Sequence, residues 1–170
     1  MDAYLAVVSK RELRTYDPRP IDPDAERRIL EAGRVSGSSK NRQARRFVVL
    51  RSPAAVQAAA ACVYRPENVL GAALVVAIVA GAKGPTSFDA GRAAQNMMLA
   101  ASNDGIGSCP NGVSDAAALQ AVVGHGDDEQ VATVLTFGYP VKPRDAERLS
   151  AEEWTARADR RPYEEIVQER

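Results

Sequence analysis

Two clusters of basic residues are the first feature of the sequence that suggests chemistry. One contains Lys10, Arg11 and Arg14, and the other contains Arg157, Arg160 and Arg161. Cations at this spacing repel one another, so a bound anion would stabilise them, and planar guanidinium groups suit a phosphate in particular. A solvated helix end also explains the first cluster, and the second cluster, which could close on the same anion, is weak evidence on its own, so the residues alone leave both interpretations open.

A polar loop, Ser36–Gln43, is the second candidate site. It contains serine, asparagine and glutamine side chains and no neighbouring catalytic base or nucleophile. Hydroxyl and amide groups of this kind hold the polar edge of a ring by hydrogen bonds. An ordinary surface loop has a similar composition, so this pattern is not specific on its own.

Several well-known catalytic motifs are missing from the sequence. The single histidine, His125, lies between two glycines in a polar loop and is expected to be exposed to solvent, and no G-x-S-x-G motif accompanies it. No Walker loop occurs, and Gly105–Gly107 stops short of a dinucleotide-binding G-x-G-x-x-G. A chain with anion-binding clusters but without its own nucleophile, base or metal site suits an enzyme whose chemistry belongs to a bound cofactor.

Composition limits the remaining possibilities. The 170 residues are 45% hydrophobic and 26% charged, which predicts a single domain over residues 1–170 with a core of its own. The 22 Lys+Arg and 22 Asp+Glu residues balance, so nothing suggests a nucleic-acid or membrane-surface partner. The longest apolar run, Val69–Ala82, is too short to span a bilayer, and no signal peptide precedes it, so we expect a cytoplasmic protein. Cys62 and Cys109 are expected to be buried, reduced thiols, and no metal site is expected.

Helices and strands alternate along the predicted fold. Capping residues and 3.6-residue periodicity predict helices over Asp2–Ser9, Asp22 to about Gly33, Pro53 to about Cys62, Asp89 to about Asp104, Asp115–Val123 and Ser150–Trp154. Apolar and β-branched runs predict strands over Arg46–Arg51, Leu74–Ala80, Ile106–Cys109 and Val131–Phe137. The continuous apolar run Leu74–Ala80 indicates a strand that is buried on both faces.

Four motifs, in order along nearly the whole chain, resemble the FMN-dependent nitroreductase family. Ser9–Arg14, followed by Tyr16 and Asp17, is similar to the family's R-R-S-I-R opening, and Gly37–Gln43 is similar to its P-S-x-x-N-x-Q-P-W loop. Asp89–Asn96 and Gly105–Cys109 resemble its central helix and the strand that follows. Phe137–Pro140 and Arg160–Glu165 resemble its closing segments.

This resemblance implies a set of cofactor-binding residues. It places Lys10, Arg11 and Arg14, with Arg160 and Arg161, on the FMN phosphate and the pyrimidine edge of the flavin. It places Ser38, Ser39 and Asn41 on the flavin across a dimer interface, and Asn68 near a flavin carbonyl. The backbone of Pro110, Asn111 and Gly112 would approach flavin N5. No protein residue need act as a catalytic acid or base, because the flavin carries the chemistry.

The resemblance also implies a fold and an activity. The fold would be α+β, a three-layer α-β-α sandwich with a mixed central sheet, assembled as an intertwined homodimer with FMN at the interface. The activity would be ping-pong hydride transfer from NAD(P)H through FMN to small-molecule acceptors such as nitroaromatics and quinones. Arg14 would stabilise the negative charge of the reduced flavin.

The sequence departs from the family pattern at several positions. Glu12 stands where serine is usual, Ala44-Arg45 replaces Pro-Trp, and Lys83–Phe88 lacks the insertion that forms a helical lid in larger members. A carboxylate beside a phosphate is repulsive, so Glu12 would weaken FMN binding unless a cation neutralises it. Two alternatives therefore stay open: a flavin-binding or flavin-sequestering protein with little turnover, and the same fold with a different flavin-like ligand, such as a deazaflavin.

Overall fold

A computed structural model describes residues 2–124 and 126–170, and the prediction about His125 lies outside the described residues. The chain divides into two compact units. The larger is Arg11–Arg144, and the smaller combines the N-terminal segment through Lys10 with Asp145–Arg170. The single domain over residues 1–170 stays a prediction.

The larger unit is built on a sheet whose strands, among the described residues, number four. These are β1 (Arg45–Leu50), β2 (Leu74–Gly81), β3 (Gly107–Asn111) and β4 (Glu129–Gly138), in the order β1-β2-β4-β3. All three strand pairs are antiparallel. The central sheet of the described residues is therefore antiparallel and not the mixed sheet that the resemblance had implied; parallel pairing occurs among these residues only as an isolated bridge between Glu12 and Ser108.

Helices cover both faces of this sheet. The helices of the larger unit are α2 (Pro23–Arg34), α3 (Pro53–Ala60), α4 (Pro66–Leu70), α5 (Thr86–Asn103) and α6 (Ala116–Val123). Strand β2 is central and sends alternate side chains to opposite faces. Val76 and Ile78 join the core cluster that contains residues of α2 and α5, and Val75 and Val79 join the cluster that contains residues of α3 and α6. The predicted three-layer α+β fold is confirmed, and so is the burial of this strand on both faces.

Local capping signals explain most helix starts. The Asp22 carboxylate accepts hydrogen bonds from the backbone N–H groups of Asp24 and Ala25, and Pro23 occupies the first turn of α2. The Ser52 and Asp115 side chains cap α3 and α6 in the same way. The helix predicted from Asp89 begins three residues earlier, at Thr86, whose hydroxyl donates to the Gly81 carbonyl at the end of β2.

The smaller unit contains α1 (Ala3–Ser9), α7 (Ala151–Ala156) and α8 (Tyr163–Ile166). A capping box starts α7, as predicted: the Glu153 backbone N–H donates to the Ser150 hydroxyl, and the Ser150 N–H donates to the Glu153 carboxylate. The Trp154 indole donates to the Ala146 carbonyl at 2.8 Å. Helices α4 and α8 were not predicted, because five and four residues are too few for a helical period to be recognisable.

Both cysteines are buried free thiols, as predicted. Burial raises the pKa of the Cys62 thiol above its usual value, which keeps it protonated and unreactive. Within the described part of the chain, no helix has the length and apolar character needed to cross a membrane.

Candidate functional site

A cavity of about 580 Å³ in the larger unit brings together five of the residues assigned to the flavin from the sequence. This volume is typical of small-molecule sites. The five are Arg14, Asn68, Pro110, Asn111 and Gly112. Thr15, Tyr64, Arg65, Glu67 and Cys109 complete the lining. The cavity therefore lies where the segment before Tyr16, the start of α4 and the end of β3 meet.

Two buried amides form a polar part of the cavity wall. Asn68 and Asn111 are each only 5% exposed, and Asn68 Nδ2 donates to Asn111 Oδ1 at 3.0 Å. Asn111 Nδ2 in turn lies within hydrogen-bonding distance of the Val134 carbonyl, the Cys109 carbonyl and Thr136 Oγ1. These contacts hold Asn111 in one orientation and tie α4 to β3 and β4, so the wall is fixed before any ligand binds.

A second set of contacts positions Arg14. The Leu13 N–H donates to the Ser108 carbonyl at 3.0 Å, beside the Glu12–Ser108 bridge. On the other side of Arg14, the buried Tyr16 hydroxyl donates to the Leu13 carbonyl at 2.6 Å and lies 3.0 Å from Thr136 Oγ1. Burial raises the pKa of Tyr16 well above its usual value, so the phenol stays a neutral donor. The backbone around Arg14 is thus anchored while its side chain is exposed.

The charge of Arg14 is available to a ligand. In residues 2–124 and 126–170, no carboxylate or hydrogen-bond acceptor pairs with its guanidinium. The other lining cation, Arg65, lies 3.6 Å from Glu67 Oε1 in an exposed pair. The ionised side chains of the lining are therefore two arginines and one glutamate, with a formal charge of +1, which favours a negatively charged ligand.

The loop Ser36–Gln43 follows α2 and precedes β1, and does not line this cavity. The Ser39 N–H donates to the buried Asp89 carboxylate at 3.0 Å, and the Gln43 N–H donates to the Ser38 hydroxyl at 2.9 Å. Lys40, Asn41 and Gln43 have positive φ near 50°. These contacts and turns hold the loop in a defined shape, with Ser38 and Ser39 half-buried and Asn41 exposed.

Arg45, which stands where the family pattern has tryptophan, contacts the start of this loop through hydrogen bonds. Its guanidinium donates to the carbonyls of Gly33 and Ser36, at the C-terminal end of α2. Cations are favourable at this end of a helix because of the unpaired carbonyls there. Its Nε and Nη1 are buried without a hydrogen-bond partner in the described chain. Arg45 thus connects β1 to the start of this loop and leaves two buried donor atoms unsatisfied in the described chain.

The remaining predicted ligands lie outside the cavity lining. Arg11 is half-buried at the start of the larger unit. Lys10, Arg160 and Arg161 belong to the smaller unit, where Arg160 donates to the Ala158 carbonyl and Arg161 pairs with Glu165 at 3.1 Å. Their assignment to the FMN phosphate stays a sequence-based prediction.

Comparison with known proteins identifies the family. The model of the nitroreductase family matches residues 7–85 and 67–139. This chain belongs to the nitroreductase family. The resemblance drawn from the four motifs is therefore confirmed, and membership of the family supports an oxidoreductase.

Solved nitroreductase structures share the fold. The chain is 25% identical to a nitroreductase from Desulfovibrio desulfuricans in complex with FMN, with a TM-score of 0.83 over 100% of this chain and 98% of that one. It is 20% identical to a nitroreductase family protein from Clostridium difficile, with a TM-score of 0.83 over 99% and 98%. The NADPH:FMN oxidoreductase of Vibrio harveyi, complexed with NAD⁺, is 23% identical, with a TM-score of 0.74 over 82% and 71%.

Sequence reasoning missed the segment Tyr64–Glu67 as part of the site. The structure places three of its side chains, Tyr64, Arg65 and Glu67, at the cavity. A usable signal was present in Pro66, because proline after a non-helical residue commonly occupies the first turn of a helix. A short helix predicted from Pro66 would have placed Arg65 and Glu67 on the same turn as Asn68, which was already a candidate site residue.

Proposed function

We propose that this nitroreductase family member is an FMN-dependent oxidoreductase that transfers electrons from NAD(P)H to nitroaromatic, quinone or related small-molecule acceptors. The observation that carries the proposal is the cavity that brings Arg14, Asn68, Asn111 and Gly112 together. These residues come from three separate segments of the chain, and the sequence resemblance assigned every one of them to the same cofactor.

The residues at the cavity fit FMN. Asn68 Oδ1 accepts no hydrogen bond from a described residue, and an amide of this kind suits the polar edge of a flavin. Asn111, whose Nδ2 is directed at the Val134 and Cys109 carbonyls, holds Asn68 in position. The backbone of Pro110–Gly112 contributes main-chain groups at the end of β3, and Gly112 is exposed. When bound, FMN would accept two electrons from NAD(P)H and then deliver them to the acceptor.

Arg14 is proposed to supply the electrostatic part of catalysis. A cation that no carboxylate of the described chain neutralises stabilises negative charge on a bound ring. Its backbone is anchored through the Leu13–Ser108 and Tyr16–Leu13 hydrogen bonds, which fix the point from which the exposed side chain reaches a bound ligand. No side chain of the cavity is assigned a role as catalytic acid or base.

The rest of the cofactor site is proposed from the sequence resemblance. Lys10, Arg11, Arg160 and Arg161 are proposed phosphate ligands, and Ser38, Ser39 and Asn41 are proposed to contact FMN bound at the interface of a homodimer. The cytoplasmic location is likewise a proposal. Light scattering coupled to size-exclusion chromatography tests the homodimer directly: a mass of about one 18.2 kDa chain at micromolar concentration would contradict it.

The decisive experiment is an absorbance spectrum of the purified protein, recorded without oxygen before and after addition of NADH or NADPH. We expect bound oxidised flavin that bleaches on addition of the reductant and recovers when a quinone or nitroaromatic follows. Mass analysis of the ligand released on denaturation then separates FMN from a deazaflavin.

Two results would contradict the proposal. Bound FMN that neither reductant bleaches would indicate a flavin-sequestering protein. A colourless protein that does not take up added FMN would show that the departures at Glu12 and at Ala44-Arg45 have abolished the cofactor site.

A further inference from the structure

One side of the cavity is formed by a segment that the flavin assignment does not use. Tyr64, Arg65 and Glu67 line the cavity together with Asn68. Tyr64 is 74% exposed, and the side chains of Arg65 and Glu67 are 75% and 64% exposed. An exposed aromatic ring and an exposed cation next to a cavity are groups that a second ligand can reach. We refer to Tyr64, Arg65 and Glu67 as the Tyr64 corner.

Tyr64 is held in place by the end of β3. Its backbone N–H donates to the Gly112 carbonyl at 3.1 Å, and the neighbouring bridge between Val63 and Val113 continues this pairing. The ring lies so close to Gly112 that a Cβ there would come within 3.1 Å of Tyr64 Cδ2. An aromatic side chain fixed against the wall of a cavity presents a face on which a planar ligand can stack.

Arg65 is only loosely engaged. Its Nη1 lies 3.6 Å from Glu67 Oε1, beyond a normal hydrogen bond, and both side chains are largely in water. Exposed pairs of this kind are weak, so a ligand carboxylate can displace Glu67 with little loss. A guanidinium binds a carboxylate through two parallel hydrogen bonds, which neutral substituents cannot reproduce.

We propose that the Tyr64 corner selects the electron acceptor, and that the preferred acceptor is a planar aromatic compound carrying a negatively charged substituent, such as a nitroaromatic carboxylate. This inference rests on the proposed function and specifies its substrate class. Tyr64 stacks on the ring of the acceptor, and Arg65 binds its anionic substituent. Glu67 partly neutralises Arg65 and so reduces the preference for charged over neutral acceptors.

The test compares 4-nitrobenzoate with 4-nitrobenzamide, two acceptors that share the ring and the nitro group and differ in charge. The measured quantity is the ratio of their kcat/KM values, taken for each variant relative to the natural protein. Because intrinsic reactivity of the two compounds is the same in every variant, it cancels from this comparison.

Arg65→Met should lower the benzoate-to-benzamide ratio about fivefold, since methionine keeps the apolar stem and removes the charge. Glu67→Gln should raise the ratio by about twofold, because Arg65 loses its competing carboxylate. The matched control is Arg51→Met, which removes another exposed arginine paired with a glutamate, away from the cavity lining, and should leave the ratio unchanged. Added salt should reduce the ratio in the natural protein and have little effect on it in Arg65→Met.

Tyr64 is tested separately. Tyr64→Ala should lower kcat/KM for both acceptors by about fivefold, and Tyr64→Phe should retain most of it, because stacking needs the ring and not the hydroxyl. If Tyr64→Phe loses as much as Tyr64→Ala, stacking is not the role of this residue.

Other outcomes separate this inference from the proposed function. Failure of the natural protein to reduce either acceptor, together with no bleaching of bound flavin by NAD(P)H, would overturn the proposed function itself. Turnover of both acceptors with a ratio that Arg65→Met does not change would overturn only the inference. In ping-pong kinetics, kcat/KM for NAD(P)H reports the reductive half-reaction alone. If Arg65→Met lowers kcat/KM for NAD(P)H and leaves kcat/KM for both acceptors unchanged, Arg65 binds the anionic part of the reductant and not the acceptor, and the inference is overturned.

Discussion

Asn68 and Asn111 are joined directly by their side chains, with Asn68 Nδ2 donating to Asn111 Oδ1 at 3.0 Å between positions 43 residues apart. This contact links α4 to β3 at the cavity and lies among the most buried polar groups of the protein. A buried amide pair is favourable only while each member keeps its partners. The pair therefore carries consequences for stability as well as for ligand binding.

Replacing Asn111 with leucine should lower the free energy of unfolding by about 1–3 kcal/mol. The substitution keeps the approximate shape and leaves the Asn68 amide and the Val134 carbonyl without their partner. Urea denaturation measures the loss. Asn103→Leu is the control, because Asn103 is exposed at the end of α5, and its effect should stay within about 0.5 kcal/mol. If the two substitutions lower the free energy of unfolding equally, the buried hydrogen bonds of Asn111 do not stabilise the protein more than an exposed asparagine does.

Arg14→Met should weaken FMN binding about tenfold, which corresponds to about 1.4 kcal/mol. The reason is loss of a cation that, in the described chain, has no competing partner. The measurement is a fluorescence titration of the cofactor-free protein with FMN. The free energy of unfolding of that cofactor-free protein should change by less than about 0.5 kcal/mol. Arg27→Met, on the exposed side of α2, should leave the FMN affinity unchanged, and an unchanged affinity in Arg14→Met would remove Arg14 from the site.

Tyr16→Phe should change how stability depends on alkaline pH. Burial raises the pKa of Tyr16 in the folded protein, whereas in the unfolded chain the phenol ionises near its usual pKa of 10. The stabilisation from the neutral phenol is therefore complete below about pH 10 and decreases as the pH rises above that value. Unfolding free energies measured at pH 8 and pH 11 should differ less in Tyr16→Phe than in the natural protein.

The same substitution should also lower stability at pH 8 by about 1–2 kcal/mol, because the Leu13 carbonyl loses its 2.6 Å hydrogen bond. If the natural protein and Tyr16→Phe lose equal stability between pH 8 and pH 11, the alkaline sensitivity arises from another group.

Gly138→Ala should destabilise the protein by about 1–3 kcal/mol, because a Cβ at position 138 would lie 2.7 Å from Cγ of the buried Tyr16 ring. Gly91→Ala is its counterpart within a helix. Apart from its two chain neighbours and the nearby backbone of α5 itself, no atom of the described residues lies within 4 Å of a Cβ built at position 91, so alanine should stabilise α5 by about 0.5–1 kcal/mol. Thermal or urea unfolding compares the stability of each variant with that of the natural protein. A Gly91→Ala variant that is less stable than the natural protein would contradict the prediction for α5.

Local signals in the sequence were sufficient to predict most of the helices and strands and to recognise the family. Asp22 and Pro23 specify the start of α2, and Ser150 and Glu153 specify the start of α7, because capping depends on residues three positions apart or fewer. The apolar run at β2 is recognisable because burial on both faces requires apolar residues at every position. Arg14, Asn68 and Asn111 were predicted as cofactor-binding residues from the resemblance to the family. Such a resemblance indicates which residues bind the cofactor but not how they are arranged in space.

Only the tertiary structure decided which of these residues meet. The order β1-β2-β4-β3, with every pair antiparallel, results from packing between strands that are distant in the chain, and hydrophobic periodicity does not encode it. The placement of Tyr64 against Gly112, and of Arg65 beside the cavity, depends on the same long-range pairing. The sequence by itself determined most of the helices and strands and the chemical groups available, because those follow from neighbouring residues, but not the short helices α4 and α8. The cavity and its charged corner were decided by the fold, because they exist only where three distant segments pack together.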